Sequence, residues 1–74
     1  MKFDYSKLLG KMKECGLTQS EFAKIIGISE TTLSLKLSNK AVFKQNEIKL
    51  CSDCLGLSAN DIGHYFFTPL VQKN

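Results

Sequence analysis

Residues 17–37, LTQSEFAKIIGISETTLSLKL, decide the fold of this chain. Thr18 and Glu21 have the spacing of a capping box, in which each side chain accepts a hydrogen bond from the other residue's amide. Gly27 supplies the left-handed conformation that ends a helix, and Ser29 can cap the helix that follows. The stretch therefore predicts two short helices that are joined by a tight turn.

The sequence on either side of this pair predicts three more helices. Apolar residues at helical spacing indicate a first helix over Asp4–Glu14, with Asp4 as its N-cap, and a fourth over Gln45–Leu55, which Gly56 ends. Ser58 is expected to cap a fifth helix that reaches Phe66. Three hydrophobic staples support these helix starts: Leu17 with Phe22, Ile28 with Leu33, and Leu57 with Ile62. We expect one compact all-α domain over residues 1–67 and a short tail over 68–74.

The composition fits one small domain and little more. The 74 residues include 10 lysines, no arginine and 7 acidic residues, for a net charge of +3. No apolar run approaches the roughly 18 to 20 residues that span a bilayer, and the N-terminus has no signal-peptide pattern. We therefore expect a cytoplasmic protein without membrane contact.

Three cysteines, Cys15, Cys51 and Cys54, raise the question of metal or redox chemistry. Together with His64 they could in principle form a four-ligand zinc site. However, Cys51 continues an apolar helical face and no second ligand pair exists, so reduced thiols packed in the core are the favoured interpretation. His64 has no partner nucleophile or carboxylate at a persuasive spacing. We expect no metal, cofactor, small-molecule ligand or enzyme activity.

The pair of helices in residues 17–37 resembles the lambda-repressor-like helix-turn-helix family, which includes the Cro-type phage repressors. The resemblance extends over about residues 4–66. It implies a compact five-helix DNA-binding domain in which the second helix of the pair enters the major groove of DNA. The resemblance also places Gln19 at a DNA phosphate.

Helical geometry indicates which residues of the third helix would read bases. Leu33 and Leu37 share an inward face, and a set of hydroxyls with one leucine lies on the opposite face. Hydroxyls can contact base edges, and a leucine can meet a thymine methyl group. The candidate contacts on that face are Thr31, Ser34, Leu35 and Ser38. The resemblance adds Glu30, which lies where the family often carries Gln or Arg, and Thr32 is a further candidate in the same helix.

Lysines after the start of this helix predict contacts to phosphate. The region from 30 to 50 carries four lysines, Lys36, Lys40, Lys44 and Lys49, against two glutamates. Lys36 departs from the family pattern, which usually has an apolar residue there, but its long stem could still carry the ammonium to a phosphate. We expect phosphate contacts from Lys36, Lys40 and Lys44, and a loop contact from Asn39.

These observations predict a sequence-specific regulator that binds an inverted-repeat operator in double-stranded DNA, as a Cro-like repressor does. The module reads few base pairs, so a homodimer is expected, at least on DNA. The apolar end formed by residues 65–67, Leu70 and Val71 is the candidate dimer surface, unless its rings fold onto the core. The alternative is a protein-interaction module, a partner of another regulator built on the same scaffold.

Overall fold

A computed structural model describes residues 2–71 of the chain. Within that range the protein is all-helical, as predicted. Its five helices are α1 (Ser6–Glu14), α2 (Gln19–Ile26), α3 (Glu30–Leu37), α4 (Gln45–Leu55) and α5 (Ile62–Phe66). The longest has 11 residues, and none of the described helices is long and apolar enough to cross a membrane.

The α2–α3 pair has the local structure that its sequence dictates. The Thr18 hydroxyl accepts from the Glu21 amide at 3.1 Å, and the Glu21 carboxylate accepts from the Thr18 amide at 3.0 Å. Gly27 ends α2 in the left-handed conformation, with φ of 79°. The Ser29 hydroxyl then accepts from the Thr32 amide and starts α3. These contacts fix the angle at which α3 leaves the turn.

The core lies between the α2–α3 pair, α1, α4 and α5. Its largest fully buried side chains come from all five helices: Leu8, Phe22, Leu33, Cys51 and Phe66. Ala23 is also buried, which allows α2 to lie close to its neighbours. Edge-to-face aromatic contacts join Phe43 of the loop to Tyr5 and Phe66. The loop after α3 therefore packs against the core through the ring of Phe43.

The first and fifth helices are shorter than predicted. The N-cap position of α1 is Tyr5, although Asp4 accepts a hydrogen bond from the Ser6 amide at 2.9 Å. The Asp61 carboxylate accepts from both the amide and the hydroxyl of Ser58. That pairing closes a turn, and α5 begins only at Ile62. The Ser58–Asp61 spacing, which predicts a helix start at Ser58, thus corresponds to a turn that comes directly before α5.

Residues 68–70, expected to be a tail, pair with the N-terminal segment. Phe3 and Pro69 form an isolated antiparallel bridge. The Asp4 amide donates to the Thr68 carbonyl at 2.7 Å, and the Leu70 amide donates to the Lys2 carbonyl at 3.0 Å. The expected tail residues 72–74 lie outside the described residues.

Candidate protein-interaction face around α3

Five of the predicted contact residues line one open groove of about 440 Å³ along α3: Gln19, Glu30, Thr31, Ser34 and Leu35. All five are exposed. Leu35 has 41% of its surface exposed, so an apolar group lies beside two hydroxyls and one carboxylate. The predicted division of α3 is correct for these residues, since Leu33 points into the core and is fully buried.

Thr32 and Ser38 belong to the two ends of α3 and do not line this groove. The Thr32 hydroxyl accepts from the Ser29 hydroxyl at 2.8 Å, and the Thr32 side chain is half-buried. The Ser38 hydroxyl donates to the carbonyls of Ser34 and Leu35 at the last turn. Both hydroxyls therefore form hydrogen bonds with groups at the ends of α3, which explains why Thr and Ser occur at these positions.

Lys36 does not occupy a position from which it could contact phosphate. The residue is buried, with 4% of its surface exposed, and its ammonium lies 2.5 Å from Oε1 of Glu47. The same ammonium donates to the Val42 carbonyl at 2.9 Å and lies 5.9 Å from the centre of the Phe43 ring. The prediction of a phosphate contact at Lys36 is therefore wrong. The position faces inward, as the apolar residue of the family pattern would.

Glu47 is the partner that sequence reasoning missed. Its Oε1 also accepts from the Lys44 amide at 2.8 Å and so closes the start of α4. Burial raises the pKa of this carboxyl, but the hydrogen bonds from Lys36 and from the Lys44 amide outweigh it and leave the pKa below its ordinary value. The sequence holds one signal for this role: Glu47 lies three residues after Lys44, the spacing at which a carboxylate accepts from the backbone amide at a helix start.

Asn39 is a structural residue of the loop, not a free contact to nucleic acid. Its Oδ1 accepts from the Phe3 amide at 2.8 Å, and its Nδ2 donates to the Phe3 carbonyl at 2.9 Å. Asn39 is also the one residue other than glycine with positive φ in the described range, at 66°. The side chain thus ties the end of α3 to the N-terminal segment, and the predicted loop contact is corrected accordingly.

The expected excess of positive charge after α3 is smaller than the sequence suggested. Lys36 is neutralised inside the protein, and Lys49 pairs with Asp53 at 3.2 Å on the surface of α4. Lys40 and Lys44 are exposed and form no ion pair with another described residue. Two of the four lysines therefore remain for an external anion.

The cysteines differ in environment. Cys51 is fully buried, Cys54 is half-buried, and Cys15 is exposed, against the expectation that all three pack in the core. Burial raises the pKa of the Cys51 thiol to about 12. Within residues 2–71 no three histidine, cysteine or acidic side chains are grouped as metal ligands.

The apolar C-terminal end is divided between core and surface. Phe66 is buried, whereas Phe67 has 50% of its surface exposed, Leu70 44% and Val71 78%. The Phe67 ring also packs edge to face on Phe3, with ring centres 5.6 Å apart. Two rings of the predicted dimer surface, Tyr65 and Phe66, thus pack in or against the core. The dimer itself stays a prediction.

Comparison with known proteins places the fold in a family. Residues 1–69 match the family described as "Protein of unknown function (DUF739)". The chain belongs to the DUF739 family. This DUF739 chain is also similar to the solution structure of the modulator of repression (MOR) of the temperate bacteriophage TP901-1 from Lactococcus lactis. The two chains are 48% identical, each is covered to 90%, and the TM-score is 0.75. No curated protein matches the chain.

Proposed function

We propose that this DUF739 chain regulates phage repression by binding another regulatory protein through the groove along α3. The observation that carries the proposal is the chemistry of that groove. Its lining has one carboxylate, two hydroxyls, an amide and a leucine, but no cation. A groove of this composition suits a protein surface better than the phosphates of DNA, which are bound mainly by cationic side chains.

The burial of Lys36 strengthens this argument. It is the one lysine within α3, and it forms a buried ion pair with Glu47. Leu35, with 41% of its surface exposed, gives the groove an apolar surface whose burial against a partner would be favourable. The similarity to a modulator of repression supports the same role, because a modulator acts on repression that another component exerts.

The test is binding of the purified chain to the purified repressor of the same phage, measured by titration calorimetry. Leu35→Ala should weaken this binding about three- to eightfold, since burying the exposed 41% of this leucine contributes about 0.6–1.2 kcal/mol. Leu50→Ala is a matched control, because Leu50 on α4 has the same 41% exposure and lies outside the groove. Equal affinities of the two variants would refute the groove as the contact surface.

A second candidate function is sequence-specific binding of double-stranded DNA by a homodimer. The exposed Lys40 and Lys44 beside α3 favour it, together with the α2–α3 geometry. Fluorescence anisotropy of labelled operator and scrambled duplexes at about 50 and 200 mM salt tests it. Specific binding that Lys40→Gln with Lys44→Gln weakens would support this candidate. Absence of binding to both duplexes at low salt would refute it.

A further inference from the structure

Gly10 is an exposed glycine in the middle of α1. Its φ is not positive, and a Cβ atom added there would meet nothing within 4 Å. Glycine destabilises the interior of a helix relative to alanine, because the unfolded chain gains more conformational freedom. Neither backbone conformation nor packing within the described residues accounts for a glycine at this position.

This glycine lines a second groove, of about 410 Å³, between α1 and the start of α2. The lining also includes three apolar side chains, those of Leu9, Met12 and Leu17, and two polar ones, those of Lys13 and Gln19. Leu9 has 38% of its surface exposed. Because Gln19 also lines the groove along α3, the two grooves meet at this residue.

The charge of the second groove is opposite to that of the first. Lys13 lines the groove three residues after Gly10. Lys7, three residues before Gly10, is exposed on the same side of α1 but does not line the groove, and Glu14, four residues after Gly10, is exposed on that side as well. Lys11 is engaged by Glu14 at 3.6 Å. No acidic side chain lines this groove, whereas Glu30 lines the one along α3.

We propose that the groove over Gly10 is a second docking site, which receives an acidic amphipathic helix of the regulatory partner. An apolar side chain of that helix packs between Leu9 and Leu17, and its carboxylates lie near Lys7 and Lys13. Because Gly10 has no side chain, the axis of the partner helix can approach that of α1 more closely than the usual separation of about 8–10 Å. The proposal rests on the proposed function, since it takes the partner to be a protein.

Gly10→Ala separates a docking role from a structural one, because stability and affinity should change in opposite directions. The melting temperature should rise by about 2 to 8 °C, as alanine favours the helix. Affinity for the purified repressor should fall about tenfold, because the added methyl group overfills the contact. Gly63→Ala is the matched control: Gly63 is also exposed, helical and open around its Cβ position, but lies in α5 outside the groove.

A charge variant and a peptide complete the experiment. Lys13→Glu should weaken repressor binding, whereas Lys24→Glu on α2, outside both grooves, should not. A synthetic helical peptide of leucine and glutamate should shift the amide resonances of Leu9–Lys13 in the wild type but not in Gly10→Ala. The same peptide with lysine in place of glutamate should cause no shift.

The outcomes distinguish the two proposals. If Gly10→Ala binds the repressor like wild type while Leu35→Ala does not, the second docking site is overturned and the proposed function stands. If the repressor does not bind the wild-type chain, the proposed function fails. The peptide titration then tests on its own whether the groove over Gly10 binds an acidic helix. Equal effects of the acidic and basic peptides, or shifts confined to other residues, overturn the second docking site.

Discussion

Removal of one member of the Lys36–Glu47 pair should destabilise the protein more than any comparable change on its surface. The side chains are 4% and 7% exposed, and the joined atoms lie 2.5 Å apart. At an effective dielectric constant near 20, two charges about 4 Å apart attract by about 4 kcal/mol, and the cost of burying each ion offsets much of this. The pair as a whole thus contributes little, but one charge left alone costs about 3–5 kcal/mol.

That cost is large for a chain of 74 residues, whose total stability is expected to be about 4–11 kcal/mol. Lys36→Met keeps the length of the buried stem, and Glu47→Gln keeps an oxygen that can accept from the Lys44 amide. Urea unfolding followed by circular dichroism measures the loss for each variant. The double variant should lose less than the sum of the two single losses, since it leaves no unpaired buried charge.

The surface pair of Lys49 and Asp53 supplies the control. Its side chains are 74% and 63% exposed, so Lys49→Met should cost under about 1 kcal/mol. The reasoning is refuted if Lys36→Met costs no more than Lys49→Met. It is also refuted if the losses at Lys36 and Glu47 simply add in the double variant.

Three further outcomes are expected. Ser29→Ala removes the cap of α3 and should cost about 1 kcal/mol in urea unfolding; an unchanged midpoint would contradict the role of this hydroxyl. The lowered pKa values of Glu47, Glu21 and Asp61 mean that the unfolded chain binds more protons in acid, so stability should be fully present above pH 4.5 and fall as the pH drops further. Urea unfolding midpoints measured between pH 6 and 3 check this, and a midpoint that rises as the pH is lowered would contradict the prediction. With a thiol reagent at pH 8, Cys15 should react at once and Cys51 only on unfolding, which mass spectrometry of the labelled sites can follow.

The parts of the fold that could be predicted are those with local causes. Thr18, Ser29 and Gly56 act within a few residues of themselves, and the starts or ends of α2, α3 and α4 lie where these residues predict. The exposed side of α3 follows in the same way from helical geometry, because Leu33 fixes which side is inward. Helical geometry therefore predicts three of the groove residues: Thr31, Ser34 and Leu35.

The remaining features depend on contacts between distant parts of the chain. The long stem of Lys36 predicts an ammonium that reaches a phosphate, but the ammonium binds Glu47, 11 residues away on another helix. Asn39 binds Phe3 across 36 residues, which no local pattern indicates. The pairing of residues 68–70 with the N-terminal segment is equally remote. The first two of these contacts engage Lys36 and Asn39, which are then not free to bind DNA.

The antiparallel bridge between Phe3 and Pro69 brings the two ends of the described range, residues 2–71, close together on the molecule. A short glycine-rich linker could join them, so the gene could be rearranged to start at the exposed turn of Ala59 and Asn60. The new ends would lie between α4 and α5, outside both grooves. Such a circular permutant would carry an affinity tag or fluorophore at that turn, and so leave both grooves free for binding measurements.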